Sequence, residues 1–405
     1  MKKITTILSP LVLLATTALA QDSTCILQPS CSQLGYTSSE TDCGTQKVLR
    51  CPFDVSQVAC LSGGSDSGGS GAGGDNYNPN DPNNELGDVI AVKIVIPSTG
   101  SATFTYGGGN IYVDCGDGTI VGGSAGSSGT ITCTYSTAGT FIAKLSGDFT
   151  YYGGCPTSVS LIKLDKSGIT KISKVCGSTT NGVVPPLPST LVDATSMFDG
   201  CSAINSPYPK LPATLEIADN MFKGATKFTG SIALPESLKS AKAMFSGSTG
   251  LQSVTGLENT KITDGTSMFE SSSITSVAEL PKNLTIGRRM FYKSTITSVP
   301  GLPETLTDGH EMFYNCSSLT TLPNLPDGLT DGYSMFYQCS NMEGTVNSLP
   351  SALVVGSMMF YGATKITGSP AKPAGLTVSN CGSAARDPGC YGGIFSYTGV
   401  QVDWY

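Results

Sequence analysis

The dipeptide Met-Phe recurs at Met197, Met221, Met244, Met268, Met290, Met312, Met335 and Met359, at intervals of 24, 23, 24, 22, 22, 23 and 24 residues. Eight copies so evenly spaced rule out chance, and a period in the low twenties is the signature of a solenoid. One rung of that length cannot bury its own apolar side, so each needs a neighbour above and below. The repeat therefore commits this part of the chain to stacking.

One repeat reads from Leu319 to Phe336 as LTTLPNLPDGLTDGYSMF. Leu319, Leu322, Leu325 and Leu329 are its apolar ladder, Pro326 marks a turn, and Met335-Phe336 closes the rung. Equivalent Leu-Pro-x-x-Leu segments begin at Leu187, Leu211, Leu234, Leu280, Leu302 and Leu349, and Leu257 stands in for one that lacks the proline. The Ile/Leu-x-x-Val/Leu segments are expected as short parallel strands about 4.8 Å apart. Gly-rich and Asp-Gly turns lead from one element of the rung to the next, and the Met-Phe segment is expected as a single turn of α- or 3₁₀-helix. Phe is expected as the buried member of each pair, with Met filling irregular gaps between rungs. Such a pair is core and implies no cofactor.

The order Leu-Pro-x-x-Leu, Met-Phe, Cys or Gly, then Leu/Ile-x-x-Val/Leu, as in Met312-Phe313-Tyr314-Asn315-Cys316-Ser317-Ser318-Leu319, resembles the BspA-like leucine-rich-repeat surface proteins and the related repeats of mycoplasma surface proteins. The resemblance spans about residues 155 to 378. It implies an exported or surface-attached protein that acts in adhesion to host or matrix proteins or to other cells. The expected fold class is mainly β: a leucine-rich-repeat-like solenoid of about eight rungs of 22–24 residues over 151–378, with a C-terminal cap at 379–405. A cap is needed because a terminal rung otherwise exposes its apolar side.

Four segments precede the solenoid. Met1-Lys2-Lys3, an apolar run over 4–17 and Ala18-Leu19-Ala20 have the form of a cleaved signal peptide, residues 1–20. Residues 21–61 carry Cys25, Cys31, Cys43, Cys51 and Cys60, too short a stretch to bury much core, and are expected as a disulfide-stapled module. The odd count leaves one thiol to pair elsewhere or stay free. Ser, Gly, Asn, Asp and Pro dominate 62–87, a flexible linker. Residues 88–150 turn to Ile/Val/Phe/Tyr-rich runs such as Val89 to Ile96, Ile111 to Val113 and Thr140 to Leu145, the pattern of a small antiparallel β-sandwich.

In that sandwich region Asp114-Cys115-Gly116-Asp117-Gly118-Thr119, followed by Cys133-Thr134-Tyr135-Ser136-Thr137-Ala138-Gly139-Thr140-Phe141, resembles the PKD-type immunoglobulin-like domain. That family reads WGDGT, then HTY, then a Gly-Thr-Tyr strand. Cys115 stands where the family has Trp and Cys133 where it has His, on what are neighbouring strands in the family. The resemblance thus implies a Cys115–Cys133 disulfide in place of the Trp packing. Asp114 and Asp117 in a Gly turn read as turn-formers rather than calcium ligands.

Charge and residue inventory narrow the function. Charged residues make up 13% of the chain, and loss of Lys2 and Lys3 with the signal takes the net charge from -7 to -9, so no basic surface for nucleic acid is expected. Fourteen cysteines, no Cys-x-x-Cys pair and one histidine favour disulfides in an oxidising compartment over zinc. Any Ser-His-Asp or Cys-His arrangement would have to use His310, yet Gly309-His310-Glu311 fills the slot held by Gly332-Tyr333-Ser334 one repeat later. The reading is of a non-enzyme with no catalytic, metal or cofactor site. After residue 20 no stretch reaches the roughly 20 apolar residues of a membrane span.

What remains is a secreted or cell-surface protein that mediates adhesion by binding an extracellular protein or polysaccharide, the alternative being a glycan-binding or glycan-processing surface protein. Two strips are candidate sites. Thr275 and Ser276, Thr297 and Ser298, and Thr320 and Thr321 are interleaved with Ile274 and Val277, Ile296 and Val299, and Leu319 and Leu322, so their hydroxyls face outward. Tyr292, Tyr314, Tyr337 and Tyr361 each follow the Phe of a rung, a row suited to sugar stacking or to packing against the C-terminal cap. Cys316 and Cys339 hold the same slot in adjacent rungs and are expected to bond. Cys155 and Cys176 are expected to staple the solenoid's first edge, and Cys381 and Cys390 to close the cap.

Overall fold

The computed structural model describes residues 39–43, 46–50, 87–154, 159–175, 183–376, 394–395 and 398–400. The signal peptide and the expectations on Cys155, Cys176, Cys381 and Cys390 lie outside the described residues. The chain divides into two units, Met1–Glu85 and Leu86–Tyr405. In the first, β1 (Ser39–Cys43) and β2 (Gln46–Arg50) form an antiparallel hairpin with Ser39 opposite Arg50.

The second unit opens with the β-sandwich. Its strands are β3 (Ile90–Ile96), β4 (Gly100–Gly107), β5 (Gly109–Asp114), β6 (Ile120–Ala125), β7 (Gly129–Tyr135), β8 (Gly139–Ser146), β9 (Tyr151–Tyr152), β10 (Val159–Lys163) and β11 (Lys171–Ile172). They make one sheet ordered β10-β3-β8-β5-β6 and a second ordered β11-β9-β4-β7. Alternation sends Ile90, Val92 and Ile94 of the first sheet and Phe104 and Tyr106 of the second into the core, as period-2 strands must. The Cys115–Cys133 disulfide forms, with Cα atoms 5.7 Å apart. It joins the end of β5 to β7, so it ties one sheet to the other rather than two neighbouring strands. Beside it the buried Tyr135 hydroxyl donates to the Cys115 carbonyl at 3.0 Å. Asp114 accepts from the Gly116 N–H, and Asp117 from both the N–H and the hydroxyl of Thr119, so both carboxylates close turns.

Sandwich and solenoid share a sheet. β9 pairs antiparallel with β4 and parallel with β11, and Lys171 of β11 bridges in parallel to Asp193 of the next rung. From there one ladder of parallel bridges runs Lys171, Asp193, Ile217, Ser240, and a second runs Asp264, Ile286, Asp308, Asp331, Val355. The break falls beside the 3₁₀ turn Leu257–Asn259, in the rung whose Leu-Pro-x-x-Leu segment lacks its proline. In the other copies the proline carbonyl accepts from the closing leucine N–H, as Pro303 does from Leu306 at 3.0 Å. On another face β12 (Ser206–Pro207), β13 (Phe228–Ala233) and β14 (Leu251–Thr255) form one parallel sheet, and β15 (Glu343–Val346), β16 (Lys365–Gly368) and β17 (Gly399–Val400) another. Single bridges such as Ser276 to Ser298 mark the rungs between.

The Met-Phe segment is not helical, contrary to expectation. It is a run of overlapping turns in which the N–H of Met197, Asp199 and Cys201 folds back to the carbonyl three residues earlier, on Ala194, Ser196 and Phe198. The intervening N–H groups of Ala194, Ser196, Phe198 and Gly200 donate instead to Ile217, Asp219, Met221 and Lys223 of the next rung. With the Thr195 N–H given to the Asp193 carboxylate, every donor from Ala194 to Cys201 is used, four within the rung and four between rungs, which a helical turn would not allow. Two consecutive side chains can then both point inward. Met and Phe are fully buried in all eight copies, so Met is as much core as Phe.

The methionines also fill a regular site rather than irregular gaps. A Cβ on Gly265, Gly287 or Gly309 would stand 2.9 Å from the sulfur of Met290, Met312 or Met335 in the following rung. Down the core the phenylalanines stack face to face from Phe198 through Phe222, Phe245, Phe269, Phe291, Phe313, Phe336 and Phe360 to Phe395, with centroids 5.2–5.7 Å apart. Ile394-Phe395 thus stands where Met-Phe would, and the Phe360 N–H donates to the Ile394 carbonyl, giving a ninth rung.

Candidate binding surface

The hydroxyl strip lies on the parallel-strand face, where Ile274, Ile296 and Leu319 are fully buried and Thr275, Ser276, Thr297, Ser298, Thr320 and Thr321 are exposed. Its members are not equivalent. The Thr297 hydroxyl donates to the Thr275 carbonyl at 2.9 Å and the Thr320 hydroxyl to the Thr297 carbonyl at 3.1 Å, alongside the backbone bonds between the same residues. Those two side chains knit rungs together. Among the described residues, the hydroxyls of Thr275, Ser276, Ser298 and Thr321 have no such partner and remain open to solvent.

The tyrosine strip lies earlier on the rung, on the turn face, with Tyr292 five residues before Thr297 and Tyr314 six before Thr320. Tyr292, Tyr314, Tyr337 and Tyr361 stack on one another with centroids 4.9, 4.5 and 4.8 Å apart and planes within 16°. All four are half-buried. Their faces cover one another, so the row presents ring edges and phenol oxygens. Burial, then the neighbouring Tyr337 and Tyr292, push the Tyr314 phenol above its ordinary pKa. At the row's first end the Arg289 guanidinium sits 4.1 Å from the Tyr292 ring centre, between Glu270 and Glu311 at 3.4 Å each. Beside the row His310 stacks on Tyr333 with centroids 4.8 Å apart.

Sequence reading passed over Arg289, His310 and Tyr333 as parts of this surface. The signal was present, because they occupy the slots one and two residues before Met, which Ser196 and Thr195 hold in the first rung. The same slots reach from rung to rung: Lys242 pairs with Asp264 at 2.8 Å and Arg288 with Asp308 at 2.5 Å, each cation meeting the carboxylate of the next rung, and His310 Nδ1 lies 3.4 Å from the Asp331 carboxylate. His310 is thus a turn-slot residue like Tyr333, as its place in the repeat implies. Burial pushes the Asp264 carboxyl up, but hydrogen bonds from Lys242 and Thr266 outweigh it and hold the pKa below the ordinary value. The balance at Asp193 is of the same kind, with Thr195 and Lys171 as the donors.

The expected Cys316–Cys339 bridge is corrected: both thiols are free and buried. Each donates one rung back along the stack, Cys316 to the Phe291 carbonyl at 2.8 Å and Cys339 to the Phe313 carbonyl at 3.1 Å, so the sulfurs are parallel rather than opposed. Burial pushes the Cys316 thiol up to about 12. Cys201 is held in a disulfide.

Among the described residues no group of three or more His, Cys, Asp or Glu is placed to hold a metal ion, and no helix is long and apolar enough to cross a membrane. No curated protein and no solved structure matches the chain. Residues 194–320 and 263–371 match the family model of the BspA type leucine rich repeat region, in six copies. By period, by stacked core and by that match, the solenoid is similar to the BspA-type leucine-rich repeat.

Proposed function

We propose that this chain is an exported surface protein that binds an extracellular protein through the strand face of its solenoid, in adhesion and without catalysis. The observation that carries the reading is the set of exposed, unengaged hydroxyls at Thr275, Ser276, Ser298 and Thr321, held on successive rungs in parallel register without a charge among them. A rigid, uncharged, hydrogen-bonding surface fits a broad contact with another folded protein better than a small charged metabolite. The signal-like residues 1–20, and a sandwich read as PKD-like from its GDGT turn and the Thr134-Tyr135 to Gly139-Thr140 turn, support an extracellular spacer-and-binder arrangement. A glycan reading is weaker, because sugar stacking needs free aromatic faces and the tyrosines spend theirs on one another.

The test is capture of matrix proteins by the chain from Gln21 onward, with a glycan array in parallel. Ser298→Lys combined with Thr321→Lys should weaken capture by roughly tenfold or more while unfolding free energy changes by no more than about 0.5 kcal/mol, the usual range for a surface substitution. Undiminished capture by that variant overturns the assignment of this face.

A further inference from the structure

The first sheet of the sandwich ends on β6, which pairs with β5 on one side and, among the described residues, with no strand on the other. In an antiparallel ladder alternate residues bond the partner strand. The Cys115 N–H bond to the Thr119 carbonyl sets the phase, so Val121, Gly123 and Ala125 face β5, while Ile120, Gly122 and Ser124 turn N–H and C=O to the open side. None of those three backbones is bonded elsewhere among the described residues. Sheet edges are normally closed to further pairing by a charge, a proline or a bulge. The opposite edge, β10, has a register shift between Leu161 and Lys163 and an ion pair of Lys163 with Asp165. β6 reads Ile-Val-Gly-Gly-Ser-Ala in unbroken register and has none of the three. The solvent face beside it is apolar: Ile120 is 52% exposed and Tyr112 56%. The flank of the Tyr112 ring lies against Gly122, where a Cβ would stand 3.2 Å from Cδ1.

We propose that two copies of this chain join along β6, antiparallel about a two-fold axis at Gly122, into one continuous sheet. With Gly122 on Gly122 and Ile120 on Ser124 of the other copy, each pair exchanges two N–H···O=C bonds, and every open-side group of both edges is used. An axis at Val121 would leave Ser124 to pair with Gly118 inside the turn. An axis at Gly123 would call on the Gly126 carbonyl, which already accepts from the Gly108 N–H. Side chains fit the same register, large against small: Ile120 faces Ser124, Val121 faces Gly123, and the two Tyr112 rings flank the paired Gly122 backbones. Charge fits it too. Asp114 lies opposite Ile120, and Asp117 sits in the turn before it. Lys144 and Asp148 lie on the far side of β5, and Lys93 beyond β8. The antiparallel pairing sets the Asp117 turn against the Gly126-Ser127-Ser128 turn, and Asp114 towards Ser124 and Asn110, all uncharged. Parallel edges would set Asp117 on Asp117.

The seam lies on the sandwich, so this pairing stands or falls apart from the hydroxyl strip of the solenoid. Edges this short cover far less than the roughly 800 Å² per partner of a standard interface, so a Kd on the order of 100 µM is expected. Sedimentation equilibrium of the chain from Gln21 onward at about 200 µM should therefore show monomer and dimer together. Ser124→Pro removes an open-side N–H and no bond within the sheet, and Gly122→Lys sets ammonium against ammonium at the axis. Each should leave only monomer, with circular dichroism unchanged. Thr132→Lys on β7, the last strand of the other sheet, should keep the dimer, as should the Ser298→Lys, Thr321→Lys variant. Under mild oxidation Gly122→Cys should link to itself, and Ile120→Cys should link to Ser124→Cys but not to itself, with the unsubstituted chain as control. A monomer at that concentration, a dimer that survives both β6 substitutions, or self-linking of Ile120→Cys in place of Gly122→Cys would each overturn the proposal.

Discussion

A left-handed backbone costs a residue that carries a Cβ about 1–2 kcal/mol, and this solenoid places one at the same slots of rung after rung. Of the thirteen non-glycine residues with positive φ among the described residues, Ser196, Asn220, Ala243, Ser267, Arg289, Glu311, Ser334 and Met358 directly precede Met. Ser271, Lys293, Asn315 and Gln338 stand three residues after it, in the slot that Gly200, Gly224, Gly247 and Gly362 fill in the other rungs. The turn run requires the conformation whatever the residue, so the strain is tolerated for the hydrogen bonds it permits. Ser271 is exposed, and its φ of 54° is what a glycine adopts freely. Ser271→Gly should raise stability by about 0.5–1 kcal/mol, strain relief exceeding the added freedom of the unfolded chain. A denaturant titration that shows lower stability would contradict the strain.

The element that holds the stack together is the phenylalanine ladder. Phe313 is fully buried, with Phe291 and Phe336 stacked on its two faces at 5.3 Å. Phe313→Ala removes a large side chain from a site that flat neighbours cannot collapse into, and should cost about 3–5 kcal/mol. Because solenoid energetics are sums over adjacent rungs, the damage should be local. Amide exchange should accelerate most in the rungs of Met290, Met312 and Met335 and least in β3 to β8. Uniform acceleration from sandwich to last rung would mean that the unit unfolds as one cooperative block. The free thiols belong to this element too: a bonded Cys316–Cys339 pair would have to give up its bonds to the Phe291 and Phe313 carbonyls.

At the scale of the whole molecule, carboxylates clasp segments together and set the response to acid. Asp88 binds Ser167 from the first residues of the sandwich, Asp193 pairs with Lys171 where sandwich meets solenoid, and Asp264 pairs with Lys242. All three have pKa values held below the ordinary one, in each case against the upward push of burial. The unfolded chain then takes up protons first as pH falls. Stability from these groups is present in full above about pH 4 and is lost as pH drops through the folded pKa values. Urea midpoints should be flat from about pH 5 to 8 and fall below about pH 4, and Asp193→Asn with Asp264→Asn should make that fall shallower. A midpoint that rises on acidification would reverse the sign. Each group is partly exposed, so each contributes at most about 1 kcal/mol.

The sequence by itself determined the stack. A rung of 22–24 residues with one apolar side has no other way to bury it, and the alternation of Ile274, Ile296 and Leu319 with hydroxyl residues decides which atoms face water. The Leu-Pro-x-x-Leu turn was equally legible, since proline presets the backbone there. The sandwich was readable from its strands, and the Cys115–Cys133 link through a family resemblance. Only the tertiary structure decided what depends on direction rather than spacing. Met-Phe alone suits a helical turn as well as a turn run, and the choice fell to the neighbouring rung, whose carbonyls take the alternate N–H groups. Cys316 and Cys339 do share a slot, but a bond needs sulfurs that face each other, and the stack aims both the same way. The tyrosines were placed correctly in a row, yet whether their faces were free for a sugar or spent on one another was a matter of side-chain rotamers. The ninth rung escaped the count because Ile394-Phe395 lacks the methionine, although stacking needs only an apolar pair of the right shape at that height.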